Sequence, residues 1–221
     1  MLEDAMASPR AYQAFLFDMD GTLITSVVAA ERVWSRWAER HGLDVEAFLP
    51  TIHGVRAIDT IRRQNLSGLD LEAEVAWVEQ GEIEDVADVA PIPGAIDFVK
   101  RLPPDRWAVV TSASVPLARA RLAAAGVTPP ALMITAEDVE RGKPDPAGYL
   151  KAAEALGFDI SDCLVFEDAE AGVHAGEAAG AEVVVVTAAQ THPLDTAHPE
   201  LADYGEAGLD ILPDGRLSLT I

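Results

Sequence analysis

The 221-residue chain has a single cysteine, Cys163, which excludes an internal disulfide; set in an apolar run, that thiol reads as packing rather than chemistry. Lysine is almost as scarce, with only Lys100, Lys143 and Lys151 present, so a mechanism that needs an ammonium group has few places to put it. No apolar run approaches the roughly 20 residues of a membrane helix, the longest candidates being short strand-like stretches such as Val183 to Val186. Bases number 16 against 37 acids, for a formal net charge of -21. Such a field repels DNA, RNA and anionic lipid, which argues against nucleic acid or membrane partners. The opening MLEDAMASPR carries two acids and no apolar segment, so it does not read as a secretory signal. Residues 1–10 are expected to be a frayed or expression-derived terminus, and the protein to be cytoplasmic and monomeric.

What is present is enough apolar material for a core, 49% of all residues. Runs apolar on both faces occur at Ala14 to Phe17, Trp107 to Thr111, Leu132 to Thr135, Cys163 to Phe166 and Val183 to Val186, as buried parallel strands require. Helix-period stretches lie between them, Val115 to Ala125, Pro146 to Leu156 and Ala171 to Ala179, each followed by a glycine stop. The alternation predicts an α/β fold with a doubly wound parallel sheet. Residues 29–90 break it with amphipathic helical patterns, such as Glu31 to His41 and Leu71 to Val86, and read as an inserted helical subdomain. The core domain would then comprise 11–28 and 91–221, with PIPGA marking the return and hinges expected near Thr25 to Val28 and Pro91 to Gly94. Terminal LDIL and LSLTI are expected to add edge strands. Trp34, Trp37 and Trp77 have spacing suited to the core of the insert.

Ligands of open parallel sheets sit beyond the carboxyl ends of the strands. There the sequence sets Asp18 and Asp20 after the first run, Thr111, Ser112 and Ala113 after the second, and Glu167 and Asp168 after the fourth; Lys143 lies in a GKPDP loop opening the helix after the third. Crowded carboxylates repel and need a counter-charge, which magnesium supplies in oxygen coordination. Asp18 and Asp20, one residue apart on an extended chain, point in opposite directions and so can divide the work. One can attack phosphorus to form an acyl phosphate while the other moves protons. A doubly wound receiver domain uses similar groups, but the helical insert and Asp20 speak against that alternative.

Taken together, FDMDGTL, VVTSAS, RGKPDP and VFEDAEAGVHAG resemble the four motifs of the haloacid dehalogenase superfamily, over roughly Ala14 to Val186. The resemblance implies a Rossmann-like core with a four-helix cap of the first subfamily and Mg2+-dependent phosphatase activity. It makes Asp18 the nucleophile and metal ligand, Asp20 the acid and base with its main-chain carbonyl on the metal, and Asp168 a direct metal ligand. Glu167 becomes a ligand or a supporting group behind one. Ser112 and the Ala113 amide would hold the phosphoryl group, and Lys143 would bridge it to Asp18. Dehalogenases lack an acid at the place of Asp20, and phosphonatases need a cap lysine, whereas residues 29–90 contain none. That absence also weakens the remaining alternative, a β-phosphoglucomutase type of phosphosugar mutase. IHGVRAIDTIRR and ITAEDVERGKPDPAGYL are similar to the sugar and polyol phosphatases acting on glycerol 3-phosphate or 2-deoxyglucose 6-phosphate. By that similarity His53, Arg56 and Asp59 are the candidates for reading the substrate's hydroxyl groups.

Overall fold

A computed structural model describes residues 10–190 and 193–221; residues 1–9 of the terminus expected to fray lie outside them. The chain begins with β1 (Ala11–Tyr12) and β2 (Ala14–Phe17), the latter buried throughout, followed by β3 (Ile24–Thr25). Four helices come next, α1 (Val27–Arg40), α2 (Val45–Phe48), α3 (Ala57–Arg63) and α4 (Leu71–Glu84), before β4 (Ala90–Pro91) pairs antiparallel with β3. A two-stranded ribbon therefore closes the base of the helical insert. Then α5 (Ala95–Lys100), β5 (Trp107–Val110), α6 (Val115–Ala124), β6 (Met133–Ile134) and α7 (Ala147–Leu156) alternate. The pattern continues through β7 (Cys163–Glu167), α8 (Glu170–Ala179), β8 (Glu182–Val186) and β9 (Glu200–Leu201), and ends in β10 (Gly208–Ile211) and β11 (Leu217–Thr220).

The main sheet has the order β6-β5-β2-β7-β8-β9, with every pairing parallel. The chain leaves β2 toward β5 and β6 on one side, then crosses back to β7 on the other, so the switch point of the topology lies at the carboxyl end of β2. Period-2 alternation divides the sheet into two apolar faces. Phe15, Phe17 and Phe166 point one way, with Phe17 and Phe166 stacked at 4.4 Å between centroids and Phe98 of α5 against them. Ala14, Leu16, Ala108 and Val165 point the other way, toward Tyr149, Ala152 and Ala153 of α7. The small side chains on that second face let helices sit close: a Cβ at Gly176 of α8 would lie 2.8 Å from Val183.

The insert has its own core, in which Val33, Trp34, Trp37, Phe48, Ile61 and Val78 are buried. Trp37 is fully enclosed and donates from Nε1 to Glu74 at 2.8 Å, as a buried indole requires. Three sequence-based expectations need correction. Trp77 stays 39% exposed beneath the Arg40 guanidinium, because its neighbour Val78 takes the inward direction and adjacent helix positions diverge by about 100°. Helix α1 starts at Val27, inside the stretch assigned to the core domain, and Ser26 is its N-cap residue. The terminal LDIL and LSLTI segments do not extend the main sheet, whose edge beyond β8 is taken by β9. They pair with each other through a turn at Gly215 (φ +83°), and β11 pairs with β1. A local antiparallel hairpin needs only that short turn, whereas a parallel edge needs a crossover.

Candidate active site

Register places the chemistry. Phe17 of β2 pairs with Val109 of β5 and Phe166 of β7, so Asp18 emerges level with Val110 and Glu167 at the switch point. The Asp18 amide continues the ladder to the Phe166 carbonyl at 2.9 Å, which fixes the backbone that carries the carboxylate. Asp18 is 4% exposed and Glu167 fully buried. Between them sits Lys143, whose ammonium donates to Asp18 Oδ1 at 2.5 Å, Glu167 Oε1 at 2.6 Å and the Val110 carbonyl at 2.9 Å. Its three protons are thereby satisfied. Tyr149 adds a hydroxyl on Glu167 Oε1 at 2.5 Å.

Carboxylate oxygens of Asp18, Glu167 and Asp168 all lie within 4.8 Å of one another. Burial, and beyond it the like charges of Glu167 and Asp20, pushes the Asp18 carboxyl well above the usual carboxylate range against the pull of Lys143. Asp168 is pushed the same way, by burial first and then by Asp18 and Glu167. Burial works against the Lys143 charge, but Asp18 and Glu167 hold its ammonium above the ordinary lysine range. Three carboxylates against one ammonium leave an excess of negative charge that a hard, oxygen-preferring cation relieves. Two glycines make the cradle possible. Gly21 has φ +82°, and a Cβ there would lie 1.9 Å from Asp168 Oδ2; a Cβ at Gly172 would lie 1.9 Å from Glu167 Oε1.

Asp20 stands apart from this trio. Its Oδ1 accepts from Ser26 at 2.5 Å and from Arg121 Nη1 at 3.0 Å, so its side chain faces a cavity of about 120 Å³ between the sheet edge and the insert. Asp18, Asp168 and Ser112 line the floor of that cavity, with Trp34, Ile52 and His53 from the insert opposite. The stretch that supplies this acid pair, the buried lysine and the helical roof, residues 12–180, matches a haloacid dehalogenase-like hydrolase family model. The chain belongs to that family. Within it, hexitol phosphatase A of Escherichia coli K12 is 45% identical over 83% of this chain and 85% of its own. The 2-deoxyglucose-6-phosphate phosphatase 1 of Saccharomyces cerevisiae is 34% identical over 78% of each chain. Among solved structures, CbbY from Rhodobacter sphaeroides in complex with xylulose 1,5-bisphosphate superposes with a TM-score of 0.75 at 21% identity, covering 89% of this chain and 96% of that one.

The other residues predicted for this hydrolase's site have distinct fates. Ser112 Oγ donates to the Gly54 carbonyl of the insert at 2.8 Å, and the Ala113 amide donates to Thr111 Oγ1 at 3.1 Å. Both donors are at the cavity wall, and each holds an internal acceptor. His53 lines the cavity with Nε2 at 3.3 Å from Glu31 Oε1. Arg56 also lines the cavity, and its guanidinium donates to Asp59 at 2.7 Å, the Val139 carbonyl at 2.9 Å and the Glu140 carbonyl at 3.0 Å. It fastens the insert to the loop leading into Lys143, and Gly142 leaves room for it, since a Cβ there would lie 2.6 Å from Arg56 Nε. Asp59 does not line the cavity; it orients Arg56 and accepts from Arg62 at 3.2 Å. Asp20 likewise brings no side-chain oxygen to the acidic trio, which leaves only its main-chain carbonyl for the metal role expected of it.

Three charged cavity residues were missed from sequence: Arg121, Glu82 and Glu79. A signal existed for two of them. Arg121 lies four residues after Leu117 on α6 and Glu82 four after Val78 on α4, so each puts a charge on a buried apolar stripe.

Proposed function

We propose that this chain is a Mg2+-dependent phosphatase that hydrolyses phosphomonoesters of neutral sugars or polyols through a phosphoaspartate on Asp18. The observation that carries the reading is the separation of the two acids: Asp18 locked by Lys143 in the floor of the cavity, and Asp20 held clear of the metal-type cluster and turned toward the same space. Asp18, Glu167 and Asp168 would hold the magnesium ion with the Asp20 carbonyl. When bound, it supplies counter-charge to an approaching phosphate.

Lys143 fixes one oxygen of Asp18, and the carboxylate attacks phosphorus, forming the acyl-phosphate bond as the ester P–O bond breaks. Asp20 gives its proton to the departing alkoxide, then takes one from a water whose oxygen attacks the phosphoaspartate. The P–O bond to Asp18 breaks, and inorganic phosphate leaves with Asp18 again a carboxylate and Asp20 again protonated. Ser112 and the Ala113 amide exchange their internal acceptors for phosphoryl oxygens. The helical insert, acting as a cap over residues 29–90 and hinged at its two ends, excludes bulk water while this happens.

Selection for a neutral remainder follows from the charges around the cavity. Arg56 is spent on Asp59, His53 faces Glu31, and Arg121 is spent on Asp20 and Glu82. Glu79 adds a carboxyl that burial pushes above its usual range. Val27, Ala30, Trp34 and Ile58 give the wall an apolar stretch, and Ser26, Thr111 and Ser114 add neutral hydroxyls. Hydroxyl donors fit this lining, and a second anionic group finds no uncommitted cation. The hexitol and deoxyglucose phosphatases related to this chain have names that point to substrates of that kind. The test is phosphate release, with and without magnesium, from a hexitol phosphate, 2-deoxyglucose 6-phosphate, a sugar bisphosphate and phosphoglycolate. The expected result is metal-dependent turnover with kcat/KM at least tenfold higher for the two neutral-bodied esters. A bisphosphate or phosphoglycolate turned over as well as they are would overturn the assignment.

A further inference from the structure

We infer that Arg121 is a positioning residue that makes the orientation of the Asp20 carboxylate depend on the seating of the helical insert. The inference rests on the acid–base role proposed for Asp20. Arg121 leaves α6 on the side of Leu117, Ala118 and Leu122, which are all buried in the core, and its own side chain is only 5% exposed. A guanidinium in that setting persists only with carboxylates on it. It has two, and they come from different parts of the chain. Nη1 donates to Asp20 Oδ1 at 3.0 Å, on the turn after β2, and Nη2 donates to Glu82 Oε1 at 3.0 Å, on α4 of the insert. Burial opposes the Arg121 charge, and Asp20 and Glu82 together outweigh it.

Three details turn this ion pair into a positioning device. The guanidinium is a rigid planar fork, so what one amino group holds fixes the direction of the other. Arg121 Nε is buried without an acceptor, so the fork's plane is set by Asp20 and Glu82 alone. Ser26, the N-cap residue of α1, donates to the same Asp20 Oδ1 that Arg121 holds, at 2.5 Å. With Oδ1 committed to two donors, Oδ2 is left to carry the proton that the leaving alcohol receives. Glu82 is 5% exposed where it meets Arg121, a burial that exists only with α4 seated over the cavity. When α4 lifts, Glu82 goes with it and the fork loses one of its two anchors. Asp20 is thus aligned for proton transfer when the insert has shut out water.

The test separates alignment of an acid from general damage by changing the leaving group. A hexitol phosphate expels a poor alkoxide that needs a proton; 4-nitrophenyl phosphate expels a stable phenolate that does not. Alcohol release in a single turnover is measured for both esters with the magnesium-loaded native enzyme, Arg121→Met, Glu82→Ala and Glu82→Gln. General acid assistance is worth on the order of 100-fold or more. The expected result for Arg121→Met is a loss of about 30- to 100-fold for the hexitol ester against a few-fold for the aryl ester, with KM nearly unchanged. Glu82→Ala should show the same imbalance in milder form, and Glu82→Gln, which keeps an acceptor for Nη2, should restore most of it. Because a lone Glu82 left buried in Arg121→Met can unfold the chain, the double variant Arg121→Met/Glu82→Gln, which removes both buried charges at once, carries the same prediction. Equal losses for the two esters, or no loss for either, overturn the positioning role while metal-dependent turnover by the native enzyme leaves the phosphatase reading standing. A native enzyme that releases neither alcohol sinks both.

Discussion

Replacing Lys143 with methionine keeps most of the side-chain volume and removes the one ammonium beneath three carboxylates. In the folded protein Lys143 satisfies Asp18, Glu167 and a backbone carbonyl, and it is 7% exposed. Breaking a buried pair by deleting one partner costs about 3–5 kcal/mol, because a charge stays behind without compensation. A chain of this length loses about 2–4 °C in melting temperature per kcal/mol, so the variant should melt roughly 6–20 °C below the native protein in chelator at neutral pH.

The pH dependence gives that number a sharper test. Asp18 and Asp168 already have folded-state pKa values raised well above the ordinary 3.8, and loss of the lysine raises them further. An acid with a raised folded pKa contributes stability that is fully present below its unfolded pKa and is lost as pH rises through the folded one. The deficit of Lys143→Met should therefore be small near pH 4, where the acids can take up protons, and grow through neutrality. Saturating magnesium should shrink it again, because the pocket without its lysine is more negative and binds the ion more tightly; each tenfold gain in affinity over the native protein recovers about 1.4 kcal/mol. The measurement is thermal unfolding from pH 4 to 9 with chelator or magnesium. A deficit that is constant with pH, or that grows when magnesium is added, would refute the charge argument.

Asp20→Asn should lower turnover of a polyol phosphate by about 10²- to 10⁴-fold, with the acyl phosphate on Asp18 accumulating and visible by mass spectrometry after acid quench. Gly21→Ala meets both a positive φ and a Cβ 1.9 Å from Asp168 Oδ2, so magnesium stabilisation in thermal melts should largely disappear while the fold persists in far-UV circular dichroism. Trp37→Ala empties the centre of the insert core and should cost about 3–5 kcal/mol in denaturant unfolding, with the loss read as a lower midpoint. Burial pushes the Glu74 carboxyl up, but Trp37, His41 and Arg40 together hold it below the usual range; without the Trp37 donor it should lose part of that depression, moving its titration in NMR upward.

The parallel sheet is legible because five of its six strands read as unbroken apolar runs, and all five runs lie within a residue of their strands at each end. The largest trimming is at β6, two residues long in a run of four because only Met133 and Ile134 find a partner in β5, and the strand without a run is β9, a half-exposed pair of residues at the edge. Asp18, Lys143, Glu167 and Asp168 were legible from their places after strands or in the loop opening a helix, and the structure brings them together. The contacts of Arg56 are not legible from its neighbours in sequence, because the guanidinium that Asp59 orients grips the loop at Val139 and Glu140, 83 and 84 residues further on. A helix wheel gives a residue's direction and not what another segment brings to meet it. Arg121 and Glu82 were overlooked for the opposite reason: each is a charge on an apolar stripe, an anomaly when read singly, and it resolves only when the two anomalies are paired with each other.

One register explains why the acidic cluster and its lysine share one side of the sheet. Side chains alternate along a strand, so Phe17 and Phe166, both in the aromatic face, oblige Asp18 and Glu167 to turn toward the opposite face. That second face is built from Ala14, Leu16, Ala108 and Val110 under α7, and α7 carries Tyr149, which reaches Glu167. The Val110 carbonyl belongs to the neighbouring strand and supplies the third acceptor of Lys143. A slip of β2 by one residue against β7 would turn Phe17 into this polar pocket and Asp18 into the aromatic stack. The burial of Phe15 and Phe17, each worth about 1.5–3 kcal/mol, guards against that slip. The aromatic packing behind the sheet is therefore tied to the polar cluster in front of it: it holds β2 in the register that gives Asp18 the lysine it is paired with.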